Sequence, residues 1–245
     1  MATHVSRHLH AQGHIIDAVW SRTEESARKL AAGLKTKAIG TIEELPGKAD
    51  FYLVAVPDDA VKDVAKEYSG HQGIWMHTAG SLPMDVFKGH FSEYGVMYPL
   101  QTLSSERPVR LGLLPFLVEG SSTGVSDKVY ALALSISGRV QMCDSAQRLS
   151  IHLAAVFANN FSNHMVDIAQ QILKEKNLPL NMLDPLLEET FHKIDSMGAR
   201  DAQTGPAVRN DQLTMEKHRE LLKSHPEWEK LYTFISREIQ RSREE

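Results

Sequence analysis

The chain has 245 residues, 42% hydrophobic and 24% charged, the composition of a folded globular protein rather than a disordered one. Its net charge of -4 leaves no basic field to gather nucleic acid or anionic lipid. No apolar run approaches the roughly 18 residues of a membrane helix, Met1 to His8 lack the apolar stretch of a signal peptide, and the single cysteine, Cys143, excludes a disulfide framework and makes a reducing cytoplasm the expected compartment.

In chain order, residues 2–12 read as a helix ended by Gly13, and residues 14–20 as a strand. A second helix is expected over 23–33, with Thr23 and Ser26 at its start and Gly33 at its stop. Residues 35–39 make a weaker strand and 42–45 a helical turn. The strongest strand signal is 50–56, a continuous apolar run of the kind found where both faces of a parallel sheet are covered. Pro57, Asp58 and Asp59 then open a helix, with acid where the helix dipole favours it. Further strands are expected at 73–77, 95–98, 115–119 and 139–143. This alternation predicts a doubly wound α/β domain over residues 1–144.

From Ser145 the strand signals stop. Leu149, Leu153, Val156, Met165, Ile168 and Ile172 recur at helical spacing over about eight turns, and helices follow Pro179, Asp211 and Pro226. Residues 145–245 are therefore expected to form an all-α domain. A Rossmann unit opens with a strand and a G-x-G-x-x-G turn, yet here a helix comes first. From the residues alone, the front half is either a different α/β fold or a Rossmann domain without its first strand and glycine loop.

Five segments bear on that choice: MATHVSRHL at 1–9, HTAGS at 77–81, YPLQT at 98–102, HLAAVFANNFSNH at 152–164 and QTGPAVR at 203–209. Together they resemble a bacterial family of Rossmann-like NADP oxidoreductases of the deazaflavin-dependent type, which carry a C-terminal domain of unknown function. That family is related to pyrroline-5-carboxylate reductase and the β-hydroxyacid dehydrogenases. The resemblance implies an NADP-binding sheet domain followed by a helical domain through which two copies dimerise. The first segment is similar to the middle of the family's G-x-G-N-x-A-x-x-L fingerprint, with Met1 standing after the Asn. The expectation is a chain shortened at its N-terminus, with the strands at Ile15 and Phe51 flanking the place of the first strand, and with weakened NADP binding.

Ser21, Arg22 and Thr23 follow the strand at 14–20. An NAD site would carry an acid there, whereas a guanidinium between two hydroxyls suits the 2′-phosphate of NADP. The same residues also read as a helix cap with a solvated arginine. Ala55, Val56 and Pro57 end the best strand at the carboxyl edge, where small residues let a cofactor approach the backbone. His77 and Thr78 follow the next strand at that edge. Thr78 is a candidate cofactor contact, and His77 is either a catalytic group facing the nicotinamide or a structural histidine.

The long helix places His152, Asn159 and Asn163 on one face, beside Asn160 and His164. These groups form either an interhelical hydrogen-bond network or a substrate site. In the second reading Asn159 holds the substrate, His152 exchanges a proton and Asn163 adds a binding contact. The resemblance implies a Lys and an Asn on this helix, and Ala155 stands at the position of that Lys while Asn159 matches the Asn. Arg209 closes the 204–209 turn, either to bind an anionic substrate group or as a surface residue. His4 and His8 have ligand spacing without an acidic or cysteine partner, so no metal is expected. The expected function is NADP-dependent oxidation or reduction of a small polar substrate at the domain interface. The rival is a non-catalytic NADP-binding or dimeric regulatory protein.

Overall fold

A computed structural model describes residues 1–68, 72–103, 109 and 111–244. They fall into two compact units, Met1–Phe161 and Ser162–Glu245. The change of class at Ser145 and the boundary between units are thus different positions, because residues 145–161 belong with the sheet. Among the described residues, no helix is long and apolar enough to cross a membrane.

The first unit opens with α1 (Ala2–Ala11), β1 (Ala18–Val19), α2 (Glu24–Leu34) and β2 (Lys37–Ala38). There follow β3 (Lys48–Val54), α3 (Asp58–Glu67), β4 (Gln72–His77), β5 (Tyr94–Pro99), β6 (Pro115–Gly120), α4 (Thr123–Leu134), β7 (Arg139–Met142) and α5 (Ser145–Ala155). The main sheet has the order β3-β4-β5-β6-β7, with β6 antiparallel to β5 and the other pairs parallel. β1 and β2 form a separate parallel pair, and no ladder joins β1 to β3 among the described residues.

Two expectations are corrected. The strand at 14–20 shrinks to Ala18–Val19, and Ile15 is 85% exposed. A ladder partner on one side only, two residues long, cannot satisfy the rest of that backbone. α2 stops at Lys35, in the left-handed region at φ 54°, and Gly33 lies inside the helix. Thr36 N–H bonds back to the Ala31 carbonyl across that turn, so the cap stabilises the strained residue.

The pleat sorts the apolar residues of the sheet by alternation. Ile74, Met76, Met97, Phe116 and Val118 face one way and form a core with Val5 and Leu9 of α1 and Val125 and Val129 of α4. Tyr52, Val54 and Trp75 face the other way and pack with Val61 and Val64 of α3 and with Phe87 and Phe91. On this second face Val54, His77, Val96 and Glu119 lie level in the register, as do Tyr98 and Leu117. Val96, Tyr98, Leu117 and Cys143 make a third cluster, against which Ile151 of α5 packs.

α5 continues without a break into a π-helical turn, Val156–Phe161. In the second unit α6 (Ser162–Glu175), α7 (Asp184–Met197), α8 (Ala199–Ala202), α9 (Gln212–Leu221) and α10 (Pro226–Glu244) are all helices. α6, α7 and α8 contain no buried residue.

Candidate active site

The carboxyl ends of β3, β4 and β5 lie side by side, because all three strands are parallel and in register. Ala55, Val56 and Pro57 leave β3, and Asp58 begins α3. Thr78 and Ala79 leave β4 and are buried. Ser81 in the same loop donates to the Asp58 carboxylate, which ties the two loops together. Trp20, just before Ser21, packs into the cluster that contains Val56 and Leu82, so the end of β1 borders this edge as well.

α5 is bolted onto this edge by one arginine. Arg148 is fully buried, with Nη1 donating to Glu119 Oε2 at 2.5 Å and Nη2 to the Leu82 carbonyl at 2.6 Å and Ser145 Oγ at 3.2 Å. Glu119 also accepts from the Ser145 backbone N–H at 3.1 Å and hydroxyl at 2.8 Å. Capping starts the helix at the same place, where Asp144 and Gln147 exchange bonds as a capping box. One turn beyond Arg148, on the same side of the helix, His152 reaches the sheet. Its Nδ1 lies 3.2 Å from the Tyr98 hydroxyl.

Gly80 sits between these two rings. A Cβ there would lie 2.7 Å from His152 Nδ1 and 2.8 Å from Tyr98 Cζ, so only glycine lets the loop after β4 close on the pair. The phenol of Tyr98 is pushed to higher pKa by burial and then by the Asp58 charge.

His77 is inside rather than at the mouth of this site. It is fully buried, edge-on to Phe87, and its Nδ1 accepts from the Ala79 N–H at 3.2 Å. Burial and the neighbouring Arg148 charge lower its pKa to about 4. The ring is therefore neutral at physiological pH, and its Nε2 is buried.

Asn159 is exposed and lies on the π turn, its amide 3.5 Å from Asn160 Oδ1. An i→i+5 turn takes one extra residue to close. The face two turns beyond His152 therefore passes from Asn159 toward Asn160, which simple α-helical spacing did not anticipate. Asn163 and Arg209 are both exposed and belong to the second unit. Arg22 is exposed and has neither hydrogen bond nor ion pair among the described residues. Thr23 Oγ1 donates to Ser26 Oγ at 2.7 Å rather than capping the α2 backbone. A free guanidinium with hydroxyls on both sides is a donor set that fits a phosphate monoester.

Arg148, Glu119, Tyr98 and Gly80 were not singled out from the sequence as site residues. Signals in the sequence pointed to two of them, Glu119 and Arg148. Glu119 is the one acid on the inward alternation of β6, after Leu117, and Arg148 precedes His152 by four residues on the face that packs inward.

Comparisons with known proteins fit this arrangement. Residues 1–74 match a family described as NADP oxidoreductase, coenzyme F420-dependent, and residues 114–239, just over half the chain, match the domain of unknown function DUF2520. A Bacteroides fragilis protein provisionally designated an NADP oxidoreductase is 39% identical, with TM-score 0.90 over 98% of this chain and 94% of its own. A Thermotoga maritima protein is 24% identical, with TM-score 0.79 over 96% of both chains. At 15% identity and TM-score 0.66, over 99% of this chain and 91% of the other, an imine reductase from Myxococcus stipitatus in complex with NADP+ shares the fold. No curated protein matches the sequence.

Proposed function

The chain belongs to the family that joins an NADP oxidoreductase domain to the DUF2520 domain, and from that premise we propose that it is an NADP-dependent oxidoreductase acting on a small polar substrate. The observation that carries the reading is the approach of His152 to the carboxyl edge of the sheet, where open α/β sheets bind their ligands. Bound NADPH supplies a hydride to a polarised carbon of the substrate. Ser21, Arg22 and Thr23 hold the cofactor's 2′-phosphate. The backbone at Ala55, Val56 and Pro57 and the hydroxyl of Thr78 would hold the rest of the cofactor at the carboxyl edge. His152 exchanges the proton that accompanies the hydride, and the amides of Asn159 and Asn160 hold the substrate. His77, neutral and buried beneath the loop that carries Gly80, positions that loop rather than moving a proton.

The cofactor assignment is tested by Arg22→Ala. A charge-assisted phosphate contact contributes roughly 1.5–3 kcal/mol, so NADPH affinity should fall about ten- to a hundredfold. Affinity for NADH, which lacks the 2′-phosphate, should not change. Fluorescence titration of both cofactors reads the difference, and equal losses would show that Arg22 is a surface residue. NADPH binding without consumption across a panel of carbonyls and imines would favour the non-catalytic regulatory reading.

We also propose that the helical unit pairs with a second copy. Among its described residues only Ala207, Met215 and Leu222 are buried apolar side chains, whereas Leu186, Phe191, Leu213, Leu221 and Phe234 are each more than half exposed. So little burial does not stabilise a helical unit of this size, and exposed apolar area on this scale marks an interface. Sedimentation at micromolar concentration should give a dimer, and Leu186→Glu with Phe191→Glu should yield monomer. A reducing cytoplasm suits the unpaired thiol of Cys143.

A further inference from the structure

We infer that Tyr98 is the positioning residue of His152, its hydroxyl oxygen accepting the Nδ1–H and so leaving Nε2 as the atom that exchanges the substrate's proton. The inference rests on the reading of His152 as the proton-transfer group and adds which of its nitrogens acts and why. An imidazole that shuttles protons through Nε2 must keep Nδ1 protonated in both charge states, and this requires a fixed acceptor at Nδ1.

Four features make Tyr98 that acceptor. Its oxygen lies 3.2 Å from Nδ1, with the two rings edge to face at 75° and their centroids 6.0 Å apart. The tyrosine itself cannot swing, being 8% exposed at the end of β5 and level with Leu117 in the ladder. α5 cannot slide, because Arg148 pins it one turn earlier to Glu119 and to the Leu82 carbonyl. Gly80 leaves room for the two rings to meet and closes over them, since any larger residue would lie within 3 Å of both. Burial keeps the phenol protonated, so its oxygen meets the imidazole as a neutral hydroxyl.

The proton balance follows from this geometry. In the reductive direction Nε2 gives its proton to the substrate heteroatom as the neighbouring carbon receives the hydride. The ring passes from cation to neutral with Nδ1–H still bonded to Tyr98, and Nε2 then recovers one proton from water.

The decisive measurement is nitrogen NMR of protein carrying 15N-histidine, recorded at the pH where a titration of the signals themselves shows the ring neutral. Comparison with His152→Gln assigns the His152 signals among the 12 histidines. The wild type should show a protonated Nδ1 and a bare Nε2, the reverse of the tautomer that predominates for histidine in water. Tyr98→Phe keeps the ring and removes only the oxygen. It should return His152 to the Nε2–H form, leave NADPH affinity unchanged, and lower Tm by no more than about 4 °C. Gly80→Ala forces the rings apart without altering either, and should shift the tautomer the same way. A wild-type signal already in the Nε2–H form, or a pattern unchanged in both variants, would overturn the inference. Undiminished turnover in His152→Ala would instead overturn the role of His152, while the tautomer would still decide the contact with Tyr98.

Discussion

Replacing His152 with alanine should lower turnover by about two to four orders of magnitude, the range that a positioned general acid–base group contributes, with NADPH affinity unchanged. The side chain stands on α5 against Tyr98 and Gly80 and is not one of the donors proposed for the cofactor phosphate, Ser21, Arg22 and Thr23. Its removal therefore deletes the proton path and spares the cofactor grip. Orientation of hydride donor and acceptor survives the substitution, and this accounts for the residual rate. Stopped-flow absorbance of NADPH gives the chemical step, and a titration of the same variant gives the binding. A parallel loss of both would mean that α5 had moved, and His152 would lose its catalytic assignment.

The second large effect concerns stability. Arg148→Met removes one partner of a buried ion pair and leaves Glu119, whose side chain is only 16% exposed, without its countercharge. Breaking such a pair costs about 3–5 kcal/mol, which for a domain of this size lowers Tm by roughly 6–20 °C. The double variant Arg148→Met with Glu119→Gln should recover part of that loss, because no uncompensated charge then remains. Thermal unfolding followed by circular dichroism checks both. An Arg148→Met protein that melts like the wild type would show that α5 is held by its apolar contacts alone. At temperatures where Arg148→Met remains folded, its turnover should also fall, because Arg148 fixes the segment that aims His152.

Much of this architecture could be read directly from residues 1–144. The apolar run of β3, the Pro57 opening of α3 and the strands near 73–77, 95–98 and 115–119 all appear where expected. Each of these is specified locally, by a run of β-branched and aromatic side chains or by a proline at a helix start. The carboxyl edge could also be inferred, because parallel strands joined by helices place all their C-terminal ends together.

What the local pattern could not specify were pairings across long separations in sequence. The strand around Ile15 collapsed to two residues because ladder length depends on a neighbour, not on the strand's own side chains. The turn Val156–Phe161 is π-helical, a shift in phase that hydrophobic spacing over eight turns averages away. Glu119 with Arg148 and Tyr98 with His152 are 29 and 54 residues apart. Nothing in either segment marks the other as its partner. The sequence by itself determined the α/β-then-α order, the sheet edge that carries the loops, and the candidates His152 and Arg22. Only the tertiary structure decided that His77 is a neutral core histidine and that Arg148 anchors α5. It also placed Tyr98, rather than His77, against His152. The physical reason is that a helix or strand declares its own period and ends, whereas burial, charge pairing and hydrogen-bond partners exist only once distant segments share one interior.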